Sequence, residues 1–296
     1  MIAAALVLST GCQQDSGPQP TDVKSTAAQL SGPGRAAAAS PTMPPPASAL
    51  ADPRLVLAVR AYDAYLRAQA AALAVQTRPF TDAIRAGDRT AARKRFAASR
   101  TSWERIQSVG FLLPELDRRI DARADDFASA ADPAWTGWHR LEHILWIGGG
   151  TADAASLATR LDRDLELLRK AVPTLDISPK LMAAGIARLV DEAITEKLPG
   201  AEDRYSRVDL ADLAANLQGA RAGYATLAPV LAARDADATR LLDRQFAAVD
   251  RTIGRYRTPT GYRPYPALAT ADRALLRSQL SALAETLTLL SAAVER

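Results

Sequence analysis

The sequence predicts an all-α protein, and three observations carry that expectation. Leucine, valine and aromatic residues recur at three-and-four spacing in successive segments from Pro53 to the C-terminus. Aromatic residues are only 5% of a chain that is 48% hydrophobic, so much of the core volume falls to Leu, Val and Ala in closely approaching helices. No stretch alternates apolar and polar residues as a half-buried strand would. At 296 residues the chain is long enough for one large domain or two small ones.

Taken in order, residues 1–12 read as a lipoprotein signal remnant. MIAAALVLSTG is apolar and ends in small residues, so Cys12, the single cysteine, is the expected lipidation site and a lipid anchor to the membrane is implied. One cysteine excludes an internal disulfide framework and any zinc site built on cysteines. Residues 13–51 hold seven of the eighteen prolines among Ser, Gly, Gln and Ala, the composition of a disordered tether.

From Pro53 the pattern is helical. Leu55, Val59, Tyr62, Leu66 and Leu73 share one face, with a kink or break expected at Pro79. Gly87-Asp88 stops that helix and opens another through Phe96 and Trp103. Residues 108–134 contain Gly, two prolines and scattered Asp, a connection with a short helix at most. A helix from Trp135 to Trp146 is ended by Gly148-Gly149-Gly150. Further stripes run through Leu157 to Val172, Ile186 to Ala193, Leu210 to Tyr224, and Leu242 to Tyr256. The last is a continuous seam, Leu276, Leu280, Leu283, Leu287, Leu290 and Val294, behind an expected cap at Thr270. About eight helices with short links suggest two four-helix bundles, residues 52–175 and 176–296, meeting near the Pro173–Pro179 segment.

The net charge of +4 comes from 37 basic and 33 acidic residues with no run of five like charges, so no nucleic-acid surface is expected. Chemistry concentrates in GWHRLEH, residues 137–143, which holds both histidines of the chain. On a helix His139, Glu142 and His143 fall at i, i+3 and i+4, within reach of one ion, and imidazole with carboxylate suits iron, zinc or copper. H-x-x-E-H is also the signature of metallopeptidases in which the histidines bind zinc and the glutamate activates water. Those enzymes are mixed α/β, and no strand pattern supports that fold here.

Four blocks in order, AARKRFAASRTSWERIQSVG, ELDRRIDARADDF, WTGWHRLEHILW and AEDRYSRVDLADLAANLQGA, resemble the imelysin-like family and within it the EfeO/EfeM-type proteins of iron uptake. FAAVDRTIGRYRTPTGYRPYPALATADR resembles that family's last loop and helix, so the likeness spans roughly residues 53–294. It implies a pair of four-helix bundles and a G-x-H-x-x-E metal site, here Gly137, His139 and Glu142, with carboxylates from Glu104 and Asp121, Asp125 as a further candidate and His143 as a possible extra ligand. It also implies an extracytoplasmic protein, in the periplasm or at the cell surface, that binds ferric or ferrous iron and passes it to a membrane iron permease, with a Dyp-type haem peroxidase as a further candidate partner. Two alternatives stand: an imelysin-type metallopeptidase using His139 and Glu142, and a haem-binding or adhesive surface protein.

Gln107 stands where the family often has a second Glu, and Arg207 where it has His. Residues 13–51 have no sequence for the cupredoxin-like domain of longer members, so the short form is expected. Trp135, Trp138 and Trp146 are expected in the core, orienting the site. Glu202, Asp203, Arg204 and Tyr205 are read as capping and salt-bridging residues that shape the cleft between bundles rather than as ligands.

Overall fold

A computed structural model describes residues 52–148 and 151–295. The expectations for Cys12 and for residues 1–12 and 13–51 lie outside the described residues.

Among the described residues the chain forms nine α-helices: α1 (Pro53–Arg85), α2 (Arg89–Ile106), α3 (Pro114–Asp121), α4 (Gly137–Trp146), α5 (Thr151–Ala171), α6 (Pro179–Glu192), α7 (Asp209–Arg234), α8 (Ala236–Gly254) and α9 (Thr270–Val294). The expected all-α class holds, and the only paired strands among those residues are the two-residue arms Arg257–Thr258 and Gly261–Tyr262. Helix starts follow local chemistry: Asp52, Asp88, Ser178 and Asp235 each accept a backbone N–H of the first turn they precede. Three details differ from the sequence reading. α1 runs through Pro79 without breaking, and Pro79 and Val75, the residue whose carbonyl a proline N cannot bond, both lie on the solvent face. α9 begins after Ala269 with no side-chain cap, so Thr270 is its first residue and not its cap. α4 begins at Gly137, two residues later than expected.

Helices α1 to α5 pack chiefly among themselves, and so do α6 to α9. α7 also lies along α1 and α2, and the buried apolar residues of both sets form one continuous core. In α1 that core takes Leu55, Val59, Tyr62, Leu66 and Leu73, the predicted face, and beyond Pro79 also Phe80. α6 continues into a π-turn, Ala193–Lys197. The wider turn rotates Lys197 inward, where it is buried.

Candidate metal centre

α2, α3, α4, the π-turn and the start of α7 converge on a buried polar cluster. Two glycines permit the close approach. Gly137 has φ +83°, and a Cβ there would stand 2.2 Å from the Ile120 carbonyl oxygen, so only glycine lets α4 start against the end of α3 and bring His139 to Asp121. Gly219 brings α7 against α2, where a Cβ would meet the Arg105 carbonyl oxygen at 2.2 Å.

At the centre is Arg100, with no exposed surface. Its Nε donates to Asp212 Oδ2 (3.0 Å), Nη1 to Asp121 Oδ1 (2.8 Å), and Nη2 to Glu104 Oε1 (2.7 Å) and Glu202 Oε1 (2.9 Å). Its guanidinium also lies over the ring of Trp138, 5.6 Å from the centroid. Lys197 Nζ pairs with Glu104 Oε2 at 2.7 Å and with Glu202 Oε2. Burial opposes the charged form of both cations, but the surrounding carboxylates outweigh it and hold both well above their ordinary pKa.

His139 stands beside this pair with one ring nitrogen on each side. Nε2 faces Arg100 Nη1 at 3.2 Å and Asp121 Oδ1 at 3.5 Å. Nδ1 faces Glu142 Oε2 at 3.4 Å and Asp203 Oδ1 at 3.9 Å. Burial and the Arg100 charge both disfavour imidazolium, yet Asp121 and Glu142 more than offset them and raise the pKa of His139. Glu142 is oriented by backbone: its Oε1 accepts from the N–H groups of Tyr205 (3.1 Å) and Ser206 (2.7 Å), which turns Oε2 toward the imidazole. Asp209 Oδ1 accepts from the N–H groups of Glu202 and Asp203, both at 3.2 Å, and so holds the turn that carries them.

Seven carboxylates therefore crowd this volume, Glu104, Asp121, Glu142, Glu202, Asp203, Asp209 and Asp212, against two permanent cations, and none of the seven side chains is more than 8% exposed. Such a surplus cannot stay fully ionised in a water-poor interior without a further positive charge. Burial raises Asp203 well above the carboxylate range, reinforced by the charge of Asp212. Burial likewise lifts Glu104 well above its usual value, against Lys197, and carries Asp209 up to about 6. Asp121 shows the opposite balance, since Arg100 overcomes burial and keeps it ionised.

Three converging groups could hold a metal ion: Asp121, His139 and Glu202; His139, Glu142 and Asp203; and Glu104, Glu202 and Asp212. A cleft of about 330 Å³, lined by Asp121, His139 and Glu202 inside and by Asp117, Asp126, Glu192 and Glu196 farther out, connects the Nε2 side of His139 with solvent.

Of the residues predicted from sequence, His139, Glu142, Glu104 and Asp121 are brought together. Asp125 is not: it is exposed on a short turn and paired with Arg204, Nη1 to Oδ1 at 2.8 Å. His143 points away from the cluster and joins none of the three groups, its ring lying between Trp135 (5.5 Å) and Tyr205 (5.1 Å). Trp135 and Trp138 are core residues, as expected, and Trp146 is half-buried against Phe96. Glu202 and Asp203, read as caps, are buried in the cluster, and Arg100, Lys197, Asp209 and Asp212 were not singled out. A signal existed for part of this: Asp209, Asp212 and Asn216 recur at i, i+3 and i+7 among the apolar residues of α7, and all three are buried.

Fold and site together define an all-helical protein with a buried histidine–carboxylate centre that could hold a cation. A model of the imelysin family, which carries the name of a peptidase family, matches residues 58–290, and the chain belongs to the imelysin family. It is 41% identical over 234 residues to the iron uptake system component EfeO of Yersinia pseudotuberculosis, covering 79% of this chain and 63% of that one. To EfeO of Escherichia coli K12 it is 38% identical over 231 residues, covering 78% and 62%. The chain thus spans less than two thirds of the length of these curated relatives. Among the described residues no helix is long and apolar enough to cross a membrane.

Proposed function

We propose that this chain is the extracytoplasmic iron-binding component of an iron-uptake system, taking up ferric or ferrous ion at the histidine–carboxylate cluster and delivering it to a membrane permease. The observation that carries the reading is the charge of the site: seven carboxylates around one imidazole, opposed by only Arg100 and Lys197. Hard oxygen donors in that number suit an iron ion, which would supply the missing positive charge. The names of the relatives support iron as the cargo. Capture outside the cytoplasm, a lipid anchor at Cys12 and a Dyp-type haem peroxidase as neighbour belong to the same proposal.

The peptidase reading draws less support. His143, the second histidine its motif needs, lies outside the cluster, and Glu142 has one oxygen held by two backbone N–H groups, with no exposed surface from which to activate water. The experiment is isothermal titration of iron into the wild type, His139→Ala and Glu142→Gln. Both variants are expected to lose most of the affinity, since each removes a ligand. Unchanged affinity in both would sink the site, while metal retention with loss of peptide turnover in Glu142→Gln would favour the peptidase.

A further inference from the structure

The seven carboxylates are not equivalent, and the difference indicates where the ion sits. Both oxygens of Asp121 are engaged, Oδ1 by Arg100 and Oδ2 by Gln107 Nε2 at 3.0 Å. Glu202 gives one oxygen to Arg100 and the other to Lys197, and Glu104 is shared in the same way. These three side chains already form a counter-ion shell for two buried cations. A metal ion placed among them would have to displace Arg100 or Lys197, leaving a cation buried without partners.

On the other face of the imidazole the situation is reversed. Asp203 has no exposed surface, no N–H or hydroxyl group donates to either of its oxygens although the Asp212 carboxyl lies within hydrogen-bonding reach, and Oδ1 stands 3.9 Å from His139 Nδ1. Glu142 Oε2 faces the same nitrogen from 3.4 Å, its direction fixed by the two backbone N–H groups on Oε1. His139 Nε2, by contrast, faces the Arg100 guanidinium, a donor only. Nδ1 is therefore the ring nitrogen with metal-ligand chemistry left to use.

We propose that the ion's seat is the inner triad of His139 Nδ1, Glu142 Oε2 and Asp203, with Asp203 as a direct ligand, and that Glu104, Asp121 and Glu202 serve as the counter-ions of Arg100 and Lys197. This rests on the proposed function and specifies its ligands. Two carboxylates and a neutral imidazole balance a doubly charged ion, so the seat suits a divalent first-row cation, ferrous iron among them. Asp121 and Glu202 line the cleft that reaches His139 from solvent.

The test uses the full chain and ferrous ion under anaerobic conditions, titrated calorimetrically into the wild type, Asp203→Asn and Asp121→Asn. Loss of an outer partner of a metal site costs roughly 10–100-fold in affinity. Asp203→Asn is expected to exceed that range and Asp121→Asn to stay within it. The visible spectrum of the protein loaded with cobaltous ion gives a second readout: it should change in Asp203→Asn, where a ligand is replaced, and persist in Asp121→Asn. The reverse ranking, with the cobalt spectrum altered only in Asp121→Asn, would overturn the inner seat and leave the iron-binding function standing. No ferrous binding by the wild type would overturn the divalent seat, and binding of neither ferrous nor ferric ion would remove the function itself. Should Asp203→Asn fail to fold, anomalous scattering from wild-type crystals soaked in manganous ion decides the matter: a peak beside Nδ1 of His139 supports the inference, and one beside Nε2 refutes it.

Discussion

Along α9, Leu276, Leu280, Leu283, Leu287 and Leu290 turn inward at heptad spacing, each at most 1% exposed. Around Arg100 a similarly buried volume is filled by a guanidinium, an ammonium, an imidazole and seven carboxylates. The leucine seam stabilises the fold by leaving water, at roughly 25 cal/mol per Å² of apolar surface buried. The polar cluster has no such gain. Desolvating its charges costs more than a hydrophobic filling of the same volume, and its internal pairs only offset part of that cost. A fold that keeps such a cluster beside a sound apolar core is spending stability on a task, and holding a cation is the task we propose for it.

The difference can be broken most forcefully at Arg100. Arg100→Met keeps much of the side-chain volume but withdraws donors from Asp212, Asp121, Glu104 and Glu202 at once. Breaking a buried ion pair from one side costs about 3–5 kcal/mol, so denaturant unfolding should show a loss of at least that size. A loss below about 1 kcal/mol, the range of surface pairs, would mean that the cluster is not held together by ionised partners. Leu283→Ala probes the other region. Deleting a buried leucine side chain costs about 2–5 kcal/mol through lost transfer free energy and the cavity left behind. Iron affinity measured on the same variant should not move, because the seam and the cluster share no side chain. A fall in affinity matching the fall in stability would show that the two regions are coupled.

The two regions also differ in how much of them the sequence reveals. The seam is local: apolar residues recur within one helix, and every leucine predicted on it is buried. Gly137, His139 and Glu142 are local in the same sense, three positions within six residues. Arg100 meets Glu104 one helical turn away, but it meets Asp212 across 112 positions and Glu202 across 102. No periodicity announces such encounters. Lys197 is harder still, since an α-helical continuation of α6 would rotate it differently and only the π-turn brings it inward. Glu202 and Asp203 read as capping residues because acidic residues before a helix usually cap it. No side chain caps α7; Asp209, its first residue, instead holds the backbone N–H groups of Glu202 and Asp203, whose side chains lie in the cluster. Pro79 misled in the opposite way, as the solvent exposure that makes it harmless is set by the packing of α1 and not by its own sequence.

The smallest effect is expected at His143, where it separates a ligand from a neighbour. Its ring is half-buried one turn beyond His139, edge-on to Tyr205 and tilted against Trp135. Burial, together with the charge of Arg140, lowers its pKa, which favours the neutral ring. Its Nδ1 is buried without a hydrogen-bond partner, so removing the imidazole deletes an unsatisfied polar atom along with the aromatic contacts. Aromatic pairs contribute about 0.5–1.5 kcal/mol beyond their area, and relief of the orphaned nitrogen works against that loss. His143→Ala should therefore cost about 1 kcal/mol or less in stability and leave iron affinity as it is, whereas a site of the H-x-x-E-H peptidase type would lose its metal altogether. Equilibrium unfolding and iron titration of this one variant separate the two outcomes. A large drop in affinity without unfolding would make His143 a ligand and would require the helix face between Trp135 and Tyr205 to turn toward the cluster.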